Sequence, residues 1–177
     1  MEQLILVNEQ DEEIGSGEKL QVHREGRLHR AFSIFIFDSA GRLLLQKRAT
    51  EKYHSGGLWS NTCCGHPRPG ETTETAAHRR LREEMNFDCE LSVCSSFIYR
   101  AELDGDLTEW EYDHILTGRY DSAPDPNRSE VEEWQWVSMD ELRARIHEQP
   151  DHFTYWLKIA LGKIDLSAIN GGQPQTS

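Results

Sequence analysis

Two adjacent cysteines followed closely by a histidine mark the first place in this sequence where chemistry is expected. The segment NTCCGHPRPGE occupies residues 61–71 and contains Cys63, Cys64 and His66. Adjacent cysteines rarely form a disulfide with each other because the required geometry is strained. The four cysteines of the chain also show neither a C-x-x-C pair nor the spacing of a zinc ribbon. The segment therefore favours free thiols, and it leaves metal binding and proton transfer as alternatives.

A row of carboxylates follows one face of a predicted strand. In the segment LTEWEYD, residues 107–113, the period of two in a β-strand places Glu109, Glu111 and Asp113 on the same face. Carboxylates on one face repel each other unless positive charge lies between them. On an exposed strand, solvent screens the repulsion and lysine side chains supply positive charge. In a binding site, a metal ion supplies it. The pattern alone leaves both interpretations open.

Three histidines offer nitrogen ligands for such a metal. His23 and His29 lie in the segment HREGRLH, and His66 follows Cys64 by two residues. Imidazole nitrogens and carboxylate oxygens together suit Zn²⁺, Mn²⁺ or Fe²⁺. Any one of these histidines alone is more typical of a structural or surface position. We interpret the remaining five in that way: His54, His78, His114, His147 and His152.

A helix predicted over residues 73–85 carries a candidate anion site. Apolar residues recur at every fourth position, Ala77, Leu81 and Met85, and Asn86 is suited to end the helix in a left-handed conformation. The Gly/Pro-rich turn before the helix leaves its first backbone amides free to face an anion. Arg80 and Glu84 share one helix face. They form either a salt bridge with each other or part of a phosphate site.

The elements that must position these residues alternate between strands and helices. Strands are predicted as a hairpin over residues 31–37 and 42–48, a short strand at 58–62, a long antiparallel pair at 89–103 and 107–120, and a strand at 133–138. Further helices are predicted at about 140–147 and 152–161. This order predicts an α/β sandwich around a mixed sheet. We expect one domain over residues 1–177, with an N-terminal arm at about 1–30 and a frayed tail at about 167–177.

Composition and charge restrict the partners. The 177 residues suffice for one sizeable core, and no run approaches the ~20 apolar residues of a membrane span. The N-terminus lacks the basic start and long apolar middle of a signal peptide. We therefore expect a cytoplasmic protein without membrane partners. The net charge of −12 argues against nucleic acid, whereas basic residues concentrated between positions 42 and 82 favour a small anion.

The turn and helix around the cysteines resemble the Nudix box, a loop, helix and loop that hold a divalent cation against a diphosphate. The matching residues are Gly65, Glu71, Arg79, Leu81, Glu83, Glu84 and Phe87. Arg80 stands where Nudix hydrolases carry a glutamate, and Asn86 where they carry a glycine. Arginine in place of a carboxylate removes a metal ligand and adds a guanidinium suited to phosphate oxygens. The change favours holding a diphosphate over hydrolysing it.

The histidines, the NTCCGHPRPGE segment, the RRLREE helix and the EWE strand together resemble the type I isopentenyl-diphosphate isomerases of the Nudix fold family, over about residues 19–156. The resemblance implies a Nudix-like α/β/α sandwich and an enzyme that interconverts isopentenyl and dimethylallyl diphosphate by protonation and deprotonation through a carbocation. It implies that Cys64 and Glu111 are catalytic. It also implies one bound divalent metal, Mn²⁺, Mg²⁺ or Zn²⁺, with the ligands His23, His29, His66, Glu109 and Glu111.

The same resemblance implies how the substrate is held. Glu84 and the backbone carbonyl of Cys64 would bind a Mg²⁺ ion that arrives with the diphosphate, and no flavin is expected. The cations expected to bind the diphosphate oxygens are Lys19, Arg48, Lys52 and Arg80, and the expected hydrocarbon pocket contains Tyr99 and Trp156. We expect a monomer or a weak homodimer.

Two other functions are weighed against this one. A Nudix hydrolase that cleaves a nucleoside or other diphosphate accounts for the box, but it gives no role to the histidines, to Cys64 or to Arg80. A non-catalytic metal-binding or regulatory module on the same fold would hold metal without turning over an isoprenyl diphosphate. The residues favour the isomerase over both.

Overall fold

A mixed β-sheet with helices on both faces forms the body of the structure, a computed structural model that describes residues 1–52 and 55–163. The strands are β1 (Gln3–Val7), β2 (Glu13–Glu18), β3 (His29–Phe37), β4 (Leu43–Arg48), β5 (Trp59–Ser60), β6 (Cys63–Gly65), β7 (Leu91–Leu103), β8 (Leu107–Arg119) and β9 (Val131–Val137). The helices are α1 (Lys19–Glu25), α2 (Thr73–Met85), α3 (Met139–Glu148) and α4 (Tyr155–Lys163), and a 3₁₀ turn at Pro150–His152 precedes α4. The predicted sandwich around a mixed sheet is confirmed.

Strand β3 is the element to which the candidate functional segments are paired. It runs parallel to β8, in a register that extends from His29↔Glu111 to Phe37↔Arg119. It also pairs antiparallel with β6, which contains both adjacent cysteines. Strand β8 pairs antiparallel with β7, and β4 pairs with β5 and β9. The cysteine segment and the carboxylate strand are therefore both direct neighbours of β3.

The predicted hairpin of β3 and β4 is present, with the two strands antiparallel, but their pairing is short. In the described part of the chain these strands pair only at Phe37↔Leu43, next to the turn. Beyond that point the side chain of Thr62 lies between them. Its hydroxyl accepts a hydrogen bond from the backbone of Ile36 at 3.0 Å and donates one to the carbonyl of Leu44 at 2.7 Å. The strands diverge around this segment, which brings the cysteines into the middle of the sheet.

Alternate residues of β3 face two separate cores. Phe32, Ile34 and Ile36 pack with apolar residues of α2, whereas Phe35 and Phe37 pack on the other face with residues of α3 and α4. Fully burying a side chain of this size contributes about 1.5–3 kcal/mol. The strand is apolar on both faces because helices cover both.

Helix α2 has the bounds predicted from its periodicity. The hydroxyl of Thr72 accepts a hydrogen bond from the backbone of Thr75, which satisfies one of the free amides at the helix start. Asn86 ends the helix in the left-handed conformation, with φ of 55°. The apolar positions Ala77, Leu81 and Met85 are fully buried against the sheet. The Nudix-like helix is thus fixed at both ends and along one face.

Residues expected to form an N-terminal arm form β1, β2 and α1. The carboxylate of Glu18 accepts hydrogen bonds from the backbone of Leu20 and Gln21 at the start of α1, and Gly26 ends the helix with φ of 64°. This short helix places His23 against the sheet, where it is fully buried. The tail expected at about 167–177 and the residue His54 lie outside the described residues.

None of the helices in the described residues has the length and apolar character that crossing a membrane requires.

Candidate functional site

Three histidines and one glutamate from four different elements converge at the edge of the parallel strand pair. His23 comes from α1, His29 from the start of β3, His66 from the position directly after β6, and Glu111 from β8. All four are buried, and their potential ligand atoms lie within 4.8 Å of one another. His29 and Glu111 are direct partners in the β3–β8 register. Of the five predicted metal ligands, the structure brings these four into one group.

The hydrogen bonds of the histidines orient their second nitrogens toward this group. His23 Nδ1 lies 2.7 Å from the carbonyl of Lys19, and His29 Nδ1 lies 3.0 Å from the carbonyl of Arg27. A carbonyl can only accept, so Nδ1 carries a proton in both rings, and Nε2 is the nitrogen that faces the group. Burial lowers the pKa of His23 to about 4 and also lowers the pKa of His66. Neutral imidazoles are the form that binds metal.

Glu111 contributes one oxygen to the histidines and the other to a tyrosine. Its Oε2 lies 2.9 Å from His66 Nε2 and 3.2 Å from His29 Nε2. Burial opposes ionisation of Glu111, but the contacts with His29 and His66 hold its pKa well below the usual range. The hydroxyl of Tyr99 donates to Oε1 at 2.5 Å. An ionised Glu111 therefore requires positive charge between its Oε2 and the ring nitrogens, and either a ring proton or a divalent cation can supply it.

Glu109 lies beside this group rather than within it. It is buried, and its Oε2 has no hydrogen-bond partner among the described residues. Burial and the neighbouring charge of Glu111 raise the pKa of Glu109 well above its usual range. Asp113, the third carboxylate of the row, accepts a hydrogen bond from Ser33 at 2.8 Å, and burial raises its pKa as well. The predicted alternation on β8 thus places three buried carboxylates in a row on one face of the strand.

The two adjacent thiols point to opposite sides of β6. Cys63 is fully buried, and its thiol donates to Glu84 Oε2 of α2 at 3.2 Å. Cys64 faces the other way, toward a cavity, and its thiol lies 3.3 Å from Asn61 Oδ1 and 3.7 Å from Ser33 Oγ. Burial raises the pKa of Cys64 to about 12, so this thiol carries its proton at neutral pH. All four cysteines are free, as the sequence predicted.

The cavity has a volume of about 900 Å³ and brings together most of the predicted site. Its walls include Cys64, His66, Glu109, Glu111 and Trp156, together with the cations Lys19, Arg48, Lys52 and Arg80. Tyr99 lies behind Glu111 instead of on the wall, although it packs in the same cluster as Trp156. The guanidinium of Arg48 lies over the indole of Trp156, 5.1 Å from the ring centroid.

Two carboxylates and two cations alternate at one side of this cavity. Arg80 Nη2 lies 2.6 Å from Glu130 Oε2 and 3.3 Å from Glu84 Oε1. Lys52 Nζ lies 3.7 Å from each of the same two carboxylates. The helix salt bridge considered from the sequence therefore exists, but within a larger cluster that includes Glu130. Glu130 lies 50 residues from Arg80 in the chain, and no spacing in the sequence signals the contact.

A bidentate ion pair fixes the loop before α2. Arg79 donates to both carboxylate oxygens of Glu71, at 2.8 and 2.9 Å. Arg79 also reaches the carbonyl of His66 at 3.4 Å, and Glu71 accepts from the backbone of Arg68 at 2.8 Å. The hydrogen bond from Arg79 lowers the pKa of Glu71. These contacts hold the histidine and the loop against the helix.

Asn61 is a fully buried residue next to the cavity that the sequence did not identify as part of the site. It belongs to the segment that was singled out, but its role depends on contacts with Trp156, 95 positions later. An amide next to the cysteines indicates that it forms hydrogen bonds there, but the sequence does not identify Trp156 as a partner.

Comparisons with known proteins identify the family of the chain. The chain matches the NUDIX domain over residues 27–157. It is 57% identical over 170 residues to isopentenyl-diphosphate Delta-isomerase 2 of Photorhabdus laumondii, with 96% of each chain covered. It is 56% identical over 163 residues to isopentenyl-diphosphate Delta-isomerase 1 of Aromatoleum aromaticum, with 92% of each covered. The crystal structure of DR0079 from Deinococcus radiodurans is similar at a TM-score of 0.76 and 25% identity, covering 91% of this chain and 98% of its own.

Proposed function

Because the chain belongs to the NUDIX domain family and, within it, to the isopentenyl-diphosphate Delta-isomerases, we propose that it interconverts isopentenyl and dimethylallyl diphosphate for isoprenoid biosynthesis. The reaction moves a double bond by one carbon, so one C–H bond forms and another breaks. The observation that supports it is the pair of Cys64 and Glu111 on the walls of one cavity that also contains four cationic side chains.

The protonation states of these two groups suit a proton donor and a proton acceptor. The thiol of Cys64 carries a proton because burial raises its pKa to about 12. Glu111 is ionised because its contacts with His29 and His66 outweigh burial and hold its pKa well below the usual range. In these states Cys64 donates to the terminal carbon of the alkene and Glu111 accepts from the carbon on the other side. The forward reaction leaves a thiolate at Cys64 and a proton on Glu111. The opposite reaction starts from these states, and a proton must return to Cys64 by exchange with solvent before the next forward turnover.

A tertiary carbocation formed between these steps must be protected from water. The cluster of Tyr99, Ala101 and Trp156, with Cys64 packed against it, supplies apolar surface beside the thiol. The indole face of Trp156 attracts cations, with a free energy of about 2 kcal/mol or more when desolvated. Its contact with the Arg48 guanidinium is an interaction of this kind.

The buried group of three histidines and Glu111 supports one divalent cation, and the family implies a second that arrives with the substrate. His23, His29, His66 and Glu111 would hold one ion, with Glu109 adjacent, and Glu84 with the carbonyl of Cys64 would hold a Mg²⁺ ion bound to the diphosphate. When bound, the first ion fixes Glu111 and lowers its affinity for protons. Lys19, Arg48, Lys52 and Arg80 would bind the diphosphate oxygens, and this binding energy would place the hydrocarbon between the two proton carriers.

Location, oligomeric state and partners belong to the same proposal. We propose a cytoplasmic enzyme that acts on a small diphosphate as a monomer or a weak homodimer, without nucleic acid or membrane partners. The net charge of −12 argues against a nucleic-acid partner, because binding to phosphates requires clustered positive charge.

Isotope incorporation tests the proposed reaction. The protein, loaded with Mn²⁺ or Mg²⁺, is incubated with isopentenyl diphosphate in D₂O, and the products are identified by mass spectrometry and NMR. We expect dimethylallyl diphosphate that contains deuterium. Release of phosphate or pyrophosphate without any isomerised product would contradict the proposal and favour a hydrolase.

A further inference from the structure

One side-chain oxygen connects the candidate proton donor to the indole in the same cavity. Asn61 Oδ1 lies 3.3 Å from the thiol of Cys64 and accepts a hydrogen bond from Trp156 Nε1 at 3.2 Å. Asn61 itself is fully buried. The hydroxyl of Ser60 donates to the same oxygen at 2.9 Å. Three donors from three different residues therefore converge on one amide oxygen.

The orientation of this amide is fixed by its other end. Asn61 Nδ2 donates to the carbonyl of Ile34 at 2.9 Å and to the carbonyl of Cys63 at 3.0 Å. Carbonyl oxygens only accept hydrogen bonds, so the NH₂ group must face them and the oxygen must face the thiol and the indole. Both donors of the amide are used by the backbone of β3 and β6. The acceptor is therefore held in place by the sheet itself.

We infer that Asn61 is a positioning residue that sets the direction of the Cys64 S–H bond and the placement of the Trp156 ring relative to it. This inference rests on the proposed function, because it assigns Asn61 the task of aligning the proton donor with the surface that stabilises the carbocation. Asn61 does not contact the substrate in this role. It acts through Cys64 and Trp156, which line the cavity that Asn61 does not line.

The position of Asn61 also separates this task from diphosphate binding. None of the hydrogen bonds described for Asn61 goes to Lys52, Arg80, Glu84 or Glu130. The link between them is indirect, through Cys63, whose carbonyl accepts from Asn61 and whose thiol donates to Glu84. Loss of Asn61 should therefore disturb the chemical step and leave the diphosphate contacts in place. The expected signature is a fall in kcat with an unchanged KM.

A matched pair of buried amides tests this signature. Asn61→Ala removes the acceptor, and we expect kcat to fall about a hundredfold, since small misplacements of reacting groups have effects of that order. Gln46→Met is the control, because Gln46 is also a buried amide, and its described side-chain hydrogen bond goes to the carbonyl of Thr62 at 2.7 Å. We expect Gln46→Met to lower Tm while retaining kcat. Equal kcat losses in the two variants, or a KM for Asn61→Ala that rises in proportion, would overturn the inference.

A second variant keeps the test decisive if Asn61→Ala does not fold. Trp156→Phe retains an aromatic ring and removes the N–H that Asn61 accepts. We expect kcat to fall about tenfold, the effect of roughly 1.4 kcal/mol, and the double variant to lose less than the product of the two single losses because the residues are coupled. An unchanged kcat in Trp156→Phe would overturn the inference.

A spectroscopic measurement distinguishes failure of this inference from failure of the proposed function. The infrared S–H stretching band that disappears in Cys64→Ser belongs to Cys64, and hydrogen bonding shifts such a band to lower frequency. We expect it below the band of the exposed Cys94, and at higher frequency in Asn61→Ala. A wild-type band at the position of a free thiol would overturn the inference, whatever the activity. A shifted band in a protein that does not isomerise isopentenyl diphosphate would reject only the proposed function.

Discussion

At the scale of single residues, the two adjacent cysteines show how one position in a strand decides a role. Cys63 points to α2 and donates to Glu84, whereas Cys64 points to the cavity. The alternation of a β-strand separates them. The sequence predicted Cys64 as the catalytic thiol from its resemblance to a family, and the opposite orientations support that assignment. The partner of Cys63 could not be predicted, because Glu84 lies 21 residues away on a helix.

The first prediction concerns these thiols. Cys64→Ala should lower kcat by roughly 10²–10⁴-fold, the usual contribution of a proton-transferring group. Cys63→Ala, the matched control, should retain most activity and lose about 1–3 kcal/mol of stability, because Glu84 loses a buried donor. Turnover with isopentenyl diphosphate and a urea titration measure the two effects. Equal loss of activity in both variants would contradict the assignment of Cys64.

The second prediction concerns Glu130, whose carboxylate contacts Arg80 at 2.6 Å and Lys52 at 3.7 Å. A diphosphate that binds these cations must compete with this carboxylate. Glu130→Gln should therefore lower KM about fivefold, equivalent to roughly 1 kcal/mol. Glu83→Gln is the control, because Glu83 binds the other nitrogen of Arg80 with a side chain that is 41% exposed. A higher KM in Glu130→Gln than in Glu83→Gln would show that Glu130 supports substrate binding.

At the scale of elements, local patterns predicted what local contacts determine. The bounds of α2 and its end at Asn86 followed from a four-residue repeat and a residue suited to the left-handed conformation. The β3–β4 hairpin was predicted, but the early end of its pairing was not, because Thr62 lies between the strands through hydrogen bonds to Ile36 and Leu44. Those contacts join residues 18 and 26 positions apart, and no local pattern encodes them.

The third prediction concerns the loop that the Glu71–Arg79 pair fixes to α2. The hydrogen bond from Arg79 lowers the pKa of Glu71 in the folded state. The pair therefore stabilises the fold above the unfolded-state pKa of Glu71, and this stability is lost as the pH falls through the lower folded-state pKa. Glu71→Gln should cost no more than about 1 kcal/mol at pH 7, since solvent screens the pair.

Urea titrations of wild type and Glu71→Gln between pH 7 and pH 3 test this. The difference in unfolding free energy between the two proteins should shrink as the pH falls. A difference that stays constant over this range would show that the carboxylate charge contributes nothing.

At the scale of the whole molecule, the four proposed metal ligands come from segments that are distant in the sequence. The residue types and the strand alternation predicted His23, His29, His66 and Glu111 as candidates, and the family resemblance grouped them. Their convergence depends on the parallel register of β3 and β8 and on α1, which the sequence interpretation did not identify. Asn61 and Glu130 were not predicted as site residues for the same reason, because their contacts with Trp156 and Arg80 form only in the tertiary structure.

The fourth prediction concerns the effect of the metal on stability. A divalent ion that binds only the folded protein at 100 times its Kd should stabilise it by about 2.7 kcal/mol. Adding Mn²⁺ or Zn²⁺ should raise the Tm of the wild type, and EDTA should reverse the increase. His23→Ala should respond much less, whereas His78→Ala should respond like the wild type, because His78 pairs with Asp88 outside the group. An equal response in His23→Ala and the wild type would contradict the site.

The pairing of His29 with Glu111 also has a consequence for biosynthesis. These residues are 82 positions apart, and a chain synthesised from its N-terminus releases all three histidines before the glutamate. A ribosome-bound fragment that ends before β8 lacks the only carboxylate of the group. Full coordination at the proposed metal site would therefore begin only after β8 has left the exit tunnel and docked beside β3. Metal binding would then belong to a late stage of translation.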